Sequence, residues 1–196
     1  MLTKNKIPLI IAGVICLEIV IYLWAVWTTE SEFVFDKCAR NSGRFSSMIN
    51  LSILLMIGYY GFKKINLDRQ KKDAFRIILT LFAVNHLIHF FYVFQNFKHH
   101  SITLSIAENL HGFITFLCIL LVPIILWFSS NFNKLLYFCI TLHLFNVSYF
   151  IMKTFYSKVK PDAPAYHNQA GIVVTSVALA YILYRVFRDF KSTKHV

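Results

Sequence analysis

The sequence predicts an all-α fold, a polytopic membrane bundle of six transmembrane helices with both termini cytoplasmic. Three observations predict it. Apolar residues make up 57% of the 196 and charged residues only 15%; the mean hydropathy is positive; and the apolar residues gather into six runs with short polar connections. A spanning helix needs about 20 residues, because each adds about 1.5 Å across about 30 Å of hydrocarbon. Residues 8–27, 43–62, 74–95, 102–128, 135–155 and 167–186 meet that length. The connections leave no room for a soluble domain, so residues 1–196 read as a single transmembrane helical domain. Its work is expected inside the bundle or at its two faces.

The first run follows Lys4 and Lys6 as the core of a signal peptide would, yet no small-residue cleavage site follows it. Glu30, Ser31 and Glu32 come next, which predicts a retained first helix with Glu18 in its interior. Residues 28–42 are mixed in charge and read as an outer loop. Helix two ends at segment 63–73, whose five basic residues, Lys63, Lys64, Arg69, Lys71 and Lys72, mark the cytoplasmic face. Helix three carries His86 and His89 near its middle and leads to an outer pair, His99 and His100. Helix four holds His111 in its outer part and Pro123 further along, where neighbouring helices tolerate a kink. Helix five has His143 near its middle. The loop 158–166, stiffened by Pro161 and Pro164, then delivers His167 to helix six.

The net charge of +11 reports orientation before it reports a partner. With the N-terminus inside, thirteen of the 20 Lys and Arg fall on the cytoplasmic side and seven outside, so the positive-inside rule and the parity of six spans agree. The excess also suits contact with the anionic lipid of a bilayer. The basic segments lack a fold for nucleic acid. Cys16, Cys38, Cys118 and Cys139 have no regular spacing, and only Cys38 lies in an outer segment, which argues against a disulfide framework or a zinc pair. No phosphate loop, nucleophile motif or paired carboxylate occurs.

Ionisable side chains are rare in hydrocarbon unless they face the bundle interior with a partner. Any single histidine here reads equally well as a packing residue hydrogen-bonded across helices. Depth distinguishes one pair. Helices three and five both run outward in this topology, so His86 and His143 fall near mid-membrane, offset by about 6 Å at the helical rise. Two neutral imidazoles facing each other at one depth can form a bis-histidine haem site, and 20 Phe with 10 Tyr can line an apolar macrocycle. His100 lies about four turns beyond His86, or about 21 Å, the spacing of a second haem stacked outward. No histidine stands at Tyr156 to match it, although His167 could substitute from helix six. Solvated loop histidines are the competing reading of His99, His100 and His167. His89 and His111 share a depth in the outer half and form the chief competing haem or metal pair. Glu18 is the other costly group, either a protonated structural carboxyl or a participant in proton or quinone handling.

The stretch Ala39-Arg40-Asn41-Ser42-Gly43-Arg44, then Asn50-Leu51 and an apolar run to Gly61, then His86, then Gly112 through Ser129-Ser130 and Leu142-His143, resembles the ferric reductase-like transmembrane family over residues 39–186. That family includes the membrane domains of ferric reductases and NADPH oxidases, and the haem-bearing membrane subunit of the bacterial periplasmic methionine sulfoxide reductase system. The resemblance implies six helices with cytoplasmic termini that pass electrons across the bilayer through haem b, with His86 as third-helix ligand and His143 as fifth-helix ligand. The family's second fifth-helix histidine is absent at Tyr156, so one haem is expected and a second would draw on another histidine. The flavin and nicotinamide domains of larger members are also missing, which favours the small subunit type of the bacterial inner membrane. Electrons would come from a separate flavoprotein reductase or from quinol, and leave to an external redox partner.

The expectation is therefore a haem b-binding electron-transfer subunit of an oxidoreductase, with His86 and His143 as axial ligands to iron. His89, His100, His111 and His167 are further candidates, and a flavin or quinone is a further cofactor. The alternative is a non-redox membrane protein, a small transporter or assembly factor, whose histidines pack or move protons.

Overall fold

A computed structural model describes residues 7–103, 105, 107–157 and 166–191. The chain forms α1 (Ile7–Thr28), a 3-10 turn (Ser31–Phe33), α2 (Val34–Leu67), α3 (Arg69–His99), α4 (Leu110–Phe128), α5 (Lys134–Tyr156) and α6 (Tyr166–Lys191). No strand occurs among the described residues. Six helices are long and apolar enough to cross a membrane, which is the all-α polytopic fold expected from composition. Large side chains such as Leu9, Trp27, Met48, Tyr59 and Phe128 are exposed, as suits an apolar solvent.

The sequence reading and the structure part at three boundaries. Residues 28–42 are largely helical where a loop was expected, because α2 already starts at Val34. The charges that suggested a loop are satisfied on the helix surface: Asp36 pairs with Arg40 one turn later at 2.5 Å, and the Lys37 amine donates to the Thr28 and Thr29 hydroxyls at 2.7 and 3.0 Å. Segment 63–73 is also helical apart from Asp68. That residue caps α3, its Oδ1 accepting from the Gln70 and Lys71 amides at 3.0 and 3.2 Å. By contrast α4 starts late, at Leu110 and not at 102. The Ser105 hydroxyl accepts from the Glu108 amide and the Asn109 side chain donates to the Ser105 carbonyl, so side chains there compete with helical bonding. Pro161 and Pro164 lie outside the described residues.

The chain divides into two compact units, Met1–Ile49 with Arg76–Phe128, and Asn50–Phe75 with Ser129–Val196. In the first, α1 buries only Val14, Glu18 and Ala25. Ala25 joins Val34, Cys38 and Tyr92 in a core cluster. The start of α3 and the end of α4 are tied by Arg76, which donates to the Leu126 carbonyl at 2.9 Å, and by the Trp127 indole, which donates to Thr80 at 3.0 Å. Pro123 is buried inside α4, which continues across it.

In the second unit α5 packs along α6. The second half of α2 breaks at Gly61, where φ is 73° and ψ 153°, a region almost confined to glycine. The break frees backbone groups that side chains satisfy. Arg185 donates to the Tyr60 carbonyl at 3.3 Å, Asp189 accepts from the Phe62 amide, and the Tyr137 hydroxyl donates to the Phe62 carbonyl at 3.2 Å. Asn66 holds Phe132 by both backbone groups, at 3.3 and 3.0 Å.

Candidate functional site

The first unit contains a buried polar cluster. On α2, Cys38, Ser42 and Ser46 recur every four residues and so share one face, and all three are buried. Small neighbours on that face, Ala39 and Gly43, let α3 come close. Helix α3 presents Asn85, His86, His89 and Tyr92 at the matching helical spacing, and α1 contributes Glu18.

Hydrogen bonds link six of these groups, Glu18, Ser42, Ser46, Asn85, His86 and Tyr92. The Ser42 hydroxyl donates to Glu18 Oε1 at 2.8 Å. The Asn85 amide donates to Ser46 Oγ at 2.7 Å and approaches the Ser42 carbonyl at 3.5 Å. Ser46 Oγ lies 3.4 Å from His86 Nδ1. The Tyr92 hydroxyl donates to the Glu18 backbone carbonyl at 3.0 Å. Buried polar groups in a native fold nearly always have partners, yet Glu18 Oε2, Asn85 Oδ1 and His89 Nδ1 are buried here with no hydrogen-bond partner.

The two α3 histidines differ in their surroundings. His89 packs on the α2 backbone: a Cβ added at Gly43 would stand 3.1 Å from its Cε1, and its ring bonds the Ala39 backbone. His86 sits in an aromatic setting, with ring centroids 5.4 Å from Phe82, 5.3 Å from His89 and 6.3 Å from Phe116. Phe116 in turn stacks on Phe90 at 4.5 Å.

His143 belongs to the second unit and is 8% exposed. It lies on the buried face of α5 with Ile140, Leu144 and Val147. One turn on, Ser148 accepts from the Asn50 amide at 3.1 Å. The outer histidines are less enclosed. His100 follows α3 in a turn, exposed, with its ring 6.5 Å from Phe33. His111 is exposed in the first turn of α4, whereas His89, expected as its partner, is turned against α2. His167 falls in the first turn of α6, and its side chain lies outside the described residues. Among the described residues no group of three or more His, Cys, Asp or Glu gathers as a metal site.

The comparisons with known proteins return nothing. No family model, curated protein or solved structure matches the chain. The chemistry of the site therefore rests on its own residues. Ser42, Ser46, Asn85 and Tyr92 were not singled out from sequence, although the four-residue polar stripe on α2 was visible there and marks a face turned to other helices.

The second unit also holds a cavity of about 410 Å³ walled by Phe62, Phe132, Tyr137 and Val186, with Lys63 and Lys134 among its lining. Its other polar side chains are committed to structure. Asn66 holds Phe132 and Asn133 caps α5, accepting from the Leu136 amide at 2.8 Å.

Proposed function

We propose that this protein binds haem b and carries electrons across a membrane to an external acceptor, with His86 and His143 as the residues that would hold it. One observation supports this reading most. Buried or ring-enclosed imidazoles lie midway along α3 and α5, while no set of three or more ligating side chains assembles among the described residues. A metal centre built by protein alone needs three or four such ligands, but a haem asks the chain for only two. The residues around His86 fit that demand. Ser46 at Nδ1 orients the ring, as outer partners do for metal-bound histidines, and Phe82 and Phe116 offer apolar faces that keep water away. Held by His86 and His143, the group would supply a one-electron relay and no substrate site.

The further parts of the reading come from the sequence. The excess of basic residues supports cytoplasmic termini, and the likeness to ferric reductase-like proteins points to a bacterial inner membrane and to a flavoprotein or quinol as donor. A second haem is not part of the proposal, since His100 and His111 are exposed at helix ends. The second reading is a non-redox protein that handles protons, and the buried contact between Glu18 and Ser42 favours it.

The test is to purify the protein in detergent from haem-replete cells and record its absorption spectrum before and after dithionite. The haem reading expects a reduced-minus-oxidised change that His86→Ala and His143→Ala each remove or shift. A colourless preparation overturns it, and an unchanged spectrum in His143→Ala removes that ligand.

A further inference from the structure

The cavity of the second unit lies at one end of that unit's helices. The apolar spans of α2 and α6 stop there, at Leu67 and Asp189, and the span of α5 begins there, at Lys134. Such a position is a boundary between hydrocarbon and water. The volume of about 410 Å³ falls within the range of about 300–1,000 Å³ that small-molecule sites occupy. The walls are aromatic: Phe62 and Tyr137 stack at 4.8 Å, and Phe132 meets Tyr137 edge-on at 6.2 Å. Phe62 and Phe132 are buried, whereas Lys63 and Lys134 are exposed at the rim.

The polar groups of the lining are of two kinds. Asn66, Asn133 and Tyr137 spend hydrogen bonds on backbone groups of the unit itself, and Asp189 accepts from the Phe62 amide with Lys63 and Arg188 as its basic neighbours. Lys63 and Lys134, by contrast, enter no ion pair among the described residues. A third amine, that of Lys72, lies 5.5 Å from the centroid of the Phe132 ring. Basic groups therefore outnumber the one acid of the lining, and a ligand meets apolar wall on one side and ammonium charge on the other.

We propose that this cavity holds an acidic phospholipid, its acyl chain against Phe62, Phe132, Tyr137 and Val186 and its phosphate held by Lys63 and Lys134. The site goes beyond the haem reading and does not rest on it. Basic pockets between spanning helices attract anionic headgroups. A zwitterionic lipid brings its own cation beside the phosphate, so two amines favour a headgroup with net negative charge. Free phosphate has the charge but no chain to use the walls, and exposed ion pairs alone are weak.

The test uses the full chain in dodecyl maltoside micelles with a phosphatidylglycerol whose acyl chain carries a photoreactive diazirine. After illumination, peptide mass spectrometry should find adducts concentrated on residues 62–67, 132–137 and 186. Unlabelled phosphatidylglycerol should remove them, while phosphatidylcholine with the same chains and inorganic phosphate should not. Lys63→Gln and Lys134→Gln should each raise the lipid mole fraction for half-maximal labelling about fivefold, the equivalent of about 1 kcal/mol per basic residue near an anionic surface. Lys63→Arg and Lys134→Arg keep the charge and should leave that fraction unchanged. Val186→Phe, which fills the cavity and keeps both amines, should abolish labelling there. The competition in wild-type protein decides even where a variant fails to fold. Adducts spread evenly over the exposed helix faces overturn the proposal, as does equal competition by phosphatidylcholine or displacement by inorganic phosphate. Labelling that survives loss of both amines overturns it too. The result is read equally in coloured or colourless protein, so it stands or falls apart from the haem.

Discussion

Asn50 and Ser148 show how single polar side chains hold the second unit. Both are buried, and the amide donates to the hydroxyl at 3.1 Å across 98 positions of sequence. In membrane proteins such bonds contribute about 0.6 kcal/mol on average and about 1.7 at most. A double-mutant cycle of Asn50→Ala and Ser148→Ala, read by unfolding in mixed micelles, should therefore give a coupling of about 0.6 kcal/mol. Zero coupling would mean that the pair is only in proximity. Asp68 acts at the head of α3, where the Lys71 side chain and then the Lys71 and Gln70 amides hold its carboxyl below the ordinary value near 3.8. Its folded form binds the proton less readily than its unfolded form, so its contribution to stability is full above the ordinary value. That contribution disappears as pH falls through the lowered folded value. A carbon-13 titration of the Asp68 carboxyl should show the lowered midpoint, and an ordinary midpoint would remove the cap from the account.

At the scale of elements, the break in α2 is the feature most sensitive to substitution. A Cβ at Gly61 would meet Asp189 Oδ2 at 2.6 Å and Arg185 Nε at 3.1 Å, and the positive φ disfavours any other residue besides. Residues held in that backbone region cost about 1–3 kcal/mol, so Gly61→Ala should lower stability by about that much in a detergent melt. An unchanged melting temperature would show that α2 can run straight. The break was not legible beforehand. Gly61 was visible, but a glycine inside an apolar run is compatible with an unbroken helix, and only Arg185, Asp189 and Tyr137 converging on residues 60–62 make the break stable. The early start of α2 was hidden for the opposite reason: Asp36, Lys37 and Arg40 look like loop residues until their pairing along a helix is seen.

For the whole molecule, the proposed orientation has both termini on one face, as an even number of candidate spans allows, and that face in the cytoplasm, as the excess of basic residues suggests. A green fluorescent protein fused after Val196 should fluoresce in cells, while one inserted after Ser101, between α3 and α4, should stay dark. The reverse pattern would invert the orientation and with it the direction of the proposed electron flow.

The sequence by itself determined the number and type of helices, because a run of about 20 apolar residues has one workable conformation where no water can satisfy its backbone. It also marked Glu18, His86 and His143 as unusual, because an ionisable group in such a run is costly wherever it points. Only tertiary structure decided which groups meet them. Ser42 and Ser46 are ordinary residues in the sequence, and they gain meaning when α1, α2 and α3 bring Glu18 and His86 to their hydroxyls. Helix ends likewise depended on contacts far along the chain, since capping and pairing are made by partners that a linear reading cannot place.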